Sequence, residues 1–179
     1  MSTPEARCAQ LAALATIAVA TIATVSAGAE TPRLGHHADT AAIAAWAREV
    51  WPDGRGLPPG GGTAAAGAPL FADQCASCHG PDGIGGTADE LAGGQMPLTI
   101  DTPDKNVGTY WPYATTLFDF IRRAMPMTAP GSLRDDEVYA LSAYLLWRND
   151  IIGEHDEMNA HTLPAVVMPN RNGFIRVWP

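Results

Sequence analysis

The chain has 179 residues, 46% of them hydrophobic and 17% charged, and a formal net charge of −8. This length suffices for one compact domain with extensions. The acidic balance speaks against nucleic acid or an anionic lipid surface as a partner, and three cysteines are too few for a dense disulfide framework.

Arg7 precedes an apolar run over residues 11–25, followed by the small residues Ala27-Gly28-Ala29. Residues 1–29 read as a secretory signal that is removed, taking Cys8 with it. The run is shorter than the roughly 20 residues a spanning helix needs, so no membrane span is expected in the mature protein. Residues 40–50 have helical spacing, with Ile43, Trp46, Ala47 and Val50 on one stripe ending at Pro52. A turn-rich stretch from Pro52 to Gly62 closes an N-terminal extension and linker, residues 30–62. Residues 64–74 form the next predicted helix.

That helix leads into Cys75-Ala76-Ser77-Cys78-His79. Cys-x-x-Cys-His is the attachment pattern of c-type haem: both thiols add to the porphyrin vinyl groups and the adjacent imidazole ligates iron. A structural zinc site needs about four N/S ligands, and no second cysteine pair exists. A thioredoxin-like dithiol should open a helix, whereas Gly80-Pro81-Asp82-Gly83 follows within a residue. One covalent haem c is therefore the expected cofactor, with His79 as proximal ligand, and export to the periplasm suits its attachment.

Residues 80–105 read as loop. Residues 113–124 are amphipathic, with Leu117, Phe118 and Ile121 on one face. The clearest predicted helix covers residues 133–148, with a capping-box-like start at Ser132 and Asp135, and Val138, Leu141, Tyr144 and Leu145 at helical spacing. Met96, Met125 and Met127 are candidates for the second axial ligand, because a thioether fills the sixth position and favours electron transfer over oxygen chemistry. Trp111, Tyr113, Arg122 and Arg123 are candidate donors to the haem propionates. The remaining histidines, His36, His37, His155 and His161, are expected at the surface.

The order helix, Cys-x-x-Cys-His, glycine-rich loop, helix, Met125-Pro126, helix resembles class I cytochrome c. Gly67, Phe71 and Tyr144 fall where that family places a small residue and two aromatics. The resemblance implies an all-α haem domain over residues 63–149, with residues 150–179 as an irregular C-terminal extension. It favours Met125 as distal ligand, although spacing does not separate it from Met127. It also implies that a loop carbonyl two residues before Leu91 holds the His79 ring; a proline is usual there, and this chain has Asp89.

Three further stretches resemble the SoxD family: Pro52-Asp53-Gly54 with Gly56-Leu57-Pro58-Pro59-Gly60, Val107-Gly108-Thr109-Tyr110-Trp111-Pro112-Tyr113 running on to Met125-Pro126, and Leu163-Pro164-Ala165-Val166 with Met168-Pro169-Asn170-Arg171. That resemblance implies a cytochrome subunit, without catalytic residues of its own, of an oxidoreductase acting on sulfur donors. It would take single electrons from a molybdenum sulfite-oxidase-like subunit oxidising sulfane sulfur or sulfite, and pass them to a downstream cytochrome or other acceptor. The alternative is a free-standing soluble cytochrome c serving an oxidase or reaction centre; a haem enzyme or gas sensor would need an open iron position. Leu163, Val166, Val167, Phe174, Ile175, Val177 and Trp178 lack helical period, and the expectation for residues after Asn149 is an arm lying on the partner.

Overall fold

The computed structural model describes residues 35–94, 98–175 and 177. The expected signal segment, Cys8, Met96 and Trp178 lie outside the described residues. Contacts divide the chain into residues 1–43 and residues 44–179, and helix α1 (Thr40–Trp46) carries the chain from one to the other. Helix α1 is four residues shorter than the spacing predicts, and Ile43 and Trp46 are exposed. The periodic stripe continues to Val50, but the Val50 N–H is spent on Asp119 Oδ1 at 3.3 Å, and the residue before Pro52 is biased away from helix.

The second unit is all-α apart from one two-residue strand pair. In order it contains β1 (Gly61–Gly62), α2 (Ala64–Gln74), the single turn α3 (Ala76–His79), α4 (Ala114–Ala124), α5 (Asp135–Arg148), β2 (Met158–Asn159) and a 3-10 turn (Leu163–Ala165). Thr63 caps α2, its hydroxyl accepting from the Ala66 N–H at 3.3 Å.

Helix α5 is the hub, with α2, α4 and both strands packed on it. Every residue from Val138 to Leu146 is buried. Helix α2 crosses it at Gly67, where any Cβ would collide with the Ala140 carbonyl oxygen and come within 2.8 Å of Tyr144 Cβ. The close approach brings Phe71 and Tyr144 together with ring centroids 4.9 Å apart. Gly67→Ala is expected to cost about 3 kcal/mol, at the upper end of overpacking penalties because backbone rather than a mobile side chain must yield. Thermal denaturation of the holoprotein measures this.

Two expectations need correction. Helix α5 starts at Asp135, and its cap is Arg134 with Glu137: the Arg134 backbone N–H donates to Glu137 Oε2 at 2.8 Å and its guanidinium to Oε1 at 3.0 Å. Asp135 cannot cap from Ser132 because it already pairs with Arg122 at 2.8 Å. The tail, secondly, is not a free arm. Strand β2 pairs antiparallel with β1, Gly61 opposite Asn159 and Gly62 opposite Met158. Met158, Leu163 and Met168 are buried in the same core as Phe118 and Tyr139, and Asn170 Nδ2 donates to the Tyr110 carbonyl at 2.7 Å. These side chains cover apolar surface that the helices leave, and burial of each contributes about 1.5–3 kcal/mol. Val167, Phe174, Ile175 and Val177 stay exposed. The N-terminal linker folds back likewise: the Tyr139 hydroxyl donates to the Pro58 carbonyl at 2.8 Å.

Candidate functional site

Helix α2 ends at Cys75, whose N–H closes the last helical turn on the Phe71 carbonyl at 2.9 Å. The turn α3 then swings Cys78 and His79 onto the same side as Cys75, and Gly80 breaks it with φ 84°. Only glycine takes that conformation without strain, and a Cβ at Gly80 would also collide with the Ile84 carbonyl. The following loop folds back on the turn through Ala88 N–H to the Cys78 carbonyl (2.9 Å) and Leu91 N–H to the Gly83 carbonyl (2.8 Å). Its Asp89 carbonyl accepts from His79 Nδ1–H at 2.7 Å. The loop carbonyl survives the absence of proline because the bond uses main chain, and it leaves Nε2 as the free ring nitrogen.

These groups open onto a cavity of about 520 Å³, within the roughly 300–1,000 Å³ of cofactor and small-molecule pockets. Its walls are mainly apolar, with Phe71, Leu117, Ile121, Leu141 and Leu145 contributed by α2, α4 and α5. Cys75, Cys78 and His79 stand on one side, and Met125 and Trp111 also line it. Met125 ends α4, its N–H donating to the Ile121 carbonyl at 3.0 Å, and packs partly buried against the core. Met127 reaches the same cavity but is 76% exposed. Two thiols, an imidazole with a free nitrogen and a thioether around an apolar slot match the donor set of a covalently held haem.

Burial, reinforced by the neighbouring Cys78, pushes the Cys75 thiol up to about 11, whereas reactive pairs have lowered values. Among the described residues, no group of three or more His, Cys, Asp or Glu side chains clusters as a metal site.

Of the expected propionate donors, Trp111 lines the cavity and Tyr113, Arg122 and Arg123 do not. The Tyr113 ring lies beneath the Arg171 guanidinium, 4.5 Å from ring centroid. Arg122 is held by Asp135, and Arg123 Nε by Asp119 at 3.0 Å. Both arginines line a separate cavity of about 190 Å³ with Arg48 and Arg134. Asp135 reaches Arg122 only through the α4–α5 packing, whereas Asp119 and Arg123 form an i,i+4 pair within α4 that helical spacing could have shown. Sequence reasoning missed Lys105 and Asn106, which do line the haem-sized cavity; the only signal was a turn-forming Asn-x-Gly-Thr just before Trp111. The four remaining histidines are exposed.

The family model for Cytochrome c matches residues 64–149. The sulfane dehydrogenase SoxCD of Paracoccus pantotrophus has a chain 40% identical to this one with a TM-score of 0.75, the match covering 81% of this chain and 72% of that one. The chain belongs to the SoxD-like class I cytochromes c. Its cofactor is accordingly covalent haem c. The cytochrome is also 36% identical over 90 residues to a thiosulfate dehydrogenase of Stutzerimonas stutzeri (strain A1501), the match spanning 49% of this chain and 28% of that protein. No helix among the described residues is long and apolar enough to cross a membrane.

Proposed function

We propose that the cytochrome is the electron-accepting subunit of a periplasmic sulfur-oxidising dehydrogenase, receiving single electrons from a molybdenum-containing subunit and passing them to a downstream cytochrome or other acceptor. The observation that carries this reading is the likeness to a chain of sulfane dehydrogenase SoxCD over 81% of the cytochrome. That span exceeds the haem domain alone and takes in flanking segments that a minimal shuttle does not need. Residues 1–29 serve as the export signal in this reading, which puts the protein where c-type haem is attached and sulfur compounds are met.

When bound, the haem supplies a one-electron iron couple. Cys75 and Cys78 would anchor it as thioethers and His79 would hold it through Nε2, while the Asp89 carbonyl holds the His79 Nδ1–H and fixes the ring. Met125, half-buried at the end of α4, would hold the haem with a thioether, a donor that favours Fe(II) and electron transfer over oxygen chemistry. The apolar walls from Phe71, Leu117 and Leu145 keep water from the reacting centre and limit reorganisation during transfer. The sulfur chemistry belongs to the partner.

The test is anaerobic mixing of the purified cytochrome with its molybdenum partner and a sulfur substrate, followed by the haem absorbance. Reduction is expected only when all three are present, with the two proteins eluting together on size exclusion. Failure to co-elute, combined with equally fast reduction by unrelated donors, would instead identify a free-standing shuttle.

A further inference from the structure

Asn106 is 3% exposed and lines the haem cavity. Its side-chain oxygen is committed, accepting from the backbone N–H groups of Gly108 and Thr109, both at 3.0 Å, while the single Thr109 hydroxyl proton goes to the Asp104 carbonyl. Two backbone donors on one end of the amide decide its orientation, because the NH2 end cannot accept them. The other end, Nδ2, is buried and has no hydrogen-bond partner among the described residues. Leaving a buried amide donor unpaired is costly, so a partner is to be sought in whatever fills the cavity. Gly94, beside Nδ2, has no side chain to occupy the adjoining space. Lys105, the only lysine of an acidic chain, lies next in sequence and lines the same cavity, its ammonium 5.8 Å from the Tyr110 ring centroid.

We infer that Asn106 holds a haem propionate through its side-chain N–H, with the Lys105 ammonium balancing the carboxylate charge. The inference rests on the haem reading of the cavity. The macrocycle is otherwise apolar, and its propionates are the strong acceptors it brings; a hydrogen bond to an ionised acceptor is roughly twice as strong as a neutral one. Asn106 and Lys105 thereby take the place in which Tyr113 and Arg122 were expected.

Asn106→Asp tests this, because a carboxylate oxygen still accepts from Gly108 and Thr109 while the donor is replaced by a negative charge that repels a propionate. The variant is expected to keep its covalent haem and axial ligands while its equilibrium with a reference one-electron couple shifts about tenfold toward the oxidised protein, or about 59 mV. A second measurement uses native, nitrogen-15-labelled holoprotein: the Asn106 side-chain amide resonances should differ strongly between the oxidised and reduced states. An unchanged potential in a folded variant overturns the inference. If the variant does not accumulate, the native amide resonances decide, and identical positions in both redox states overturn it. A native protein that releases its haem into acid acetone would sink the covalent-haem reading itself, and this inference with it.

Discussion

Met125→Ala should abolish the weak far-red sulfur-to-iron band of the oxidised protein and lower its reduction potential by on the order of 0.1 V or more, within the span of about 0.8 V that axial ligands command. Loss of the thioether removes the ligand that favours Fe(II) and lets water or another weak donor reach the iron. Met127→Ala is the control, since Met127 is 76% exposed while Met125 is packed against the core. Its spectrum and potential should match those of the native protein. The opposite outcome, with the band lost only in Met127→Ala, would move the distal ligand two residues along. If neither substitution removes the band, the distal ligand is not a methionine of this segment.

Truncation after Gly153 should prevent the cytochrome from holding its native fold, even though the haem motif and all the α-helices are retained. The cut removes Met158, Leu163 and Met168, which are 4%, 0% and 1% exposed, together with the β1–β2 pairing. Shortening a single buried Leu or Met to alanine costs about 2–5 kcal/mol, so three losses rival the 5–15 kcal/mol that a whole domain has at its disposal. Leu163→Ala gives a graded version: about 3 kcal/mol, or a melting temperature lower by roughly 10 °C. A truncated protein with unchanged melting temperature would restore the tail to the role of an arm. The exposed remainder, Phe174, Ile175 and Val177, makes no such contribution, and a cut after Gly173 should leave stability nearly unchanged.

What the sequence by itself determined is local. Cys75, Cys78 and His79 announce their chemistry through spacing alone, because one turn of chain brings them to one side. Helix α2 coincides with its predicted residues 64–74, and α4 differs only by the capping residue Tyr113. Gly67, Phe71 and Tyr144 meet as the class I resemblance implies, and the carbonyl of Asp89 reaches His79 because the bond is a main-chain one, indifferent to side-chain identity. Each of these depends on neighbours a few residues away or on a crossing that a single small residue permits.

Tertiary structure alone decided the rest. Helix α1 stops at Trp46 because the Val50 N–H finds Asp119 across 69 positions of sequence. Asp135 is diverted from capping α5 by Arg122 on the preceding helix, and the same pairing keeps Arg122 from the cavity. The tail lacks periodicity since its buried residues, Met158, Leu163 and Met168, are spaced to fit the surface of α4 and α5 rather than the repeat of any element of their own. The polar wall at Asn106 was equally hidden: an asparagine in a turn is ordinary, and only the folded chain shows that its oxygen is consumed by the turn while its nitrogen is left for the ligand. Long-range pairing chose among locally equivalent options, and such choices carry no signature in composition or spacing.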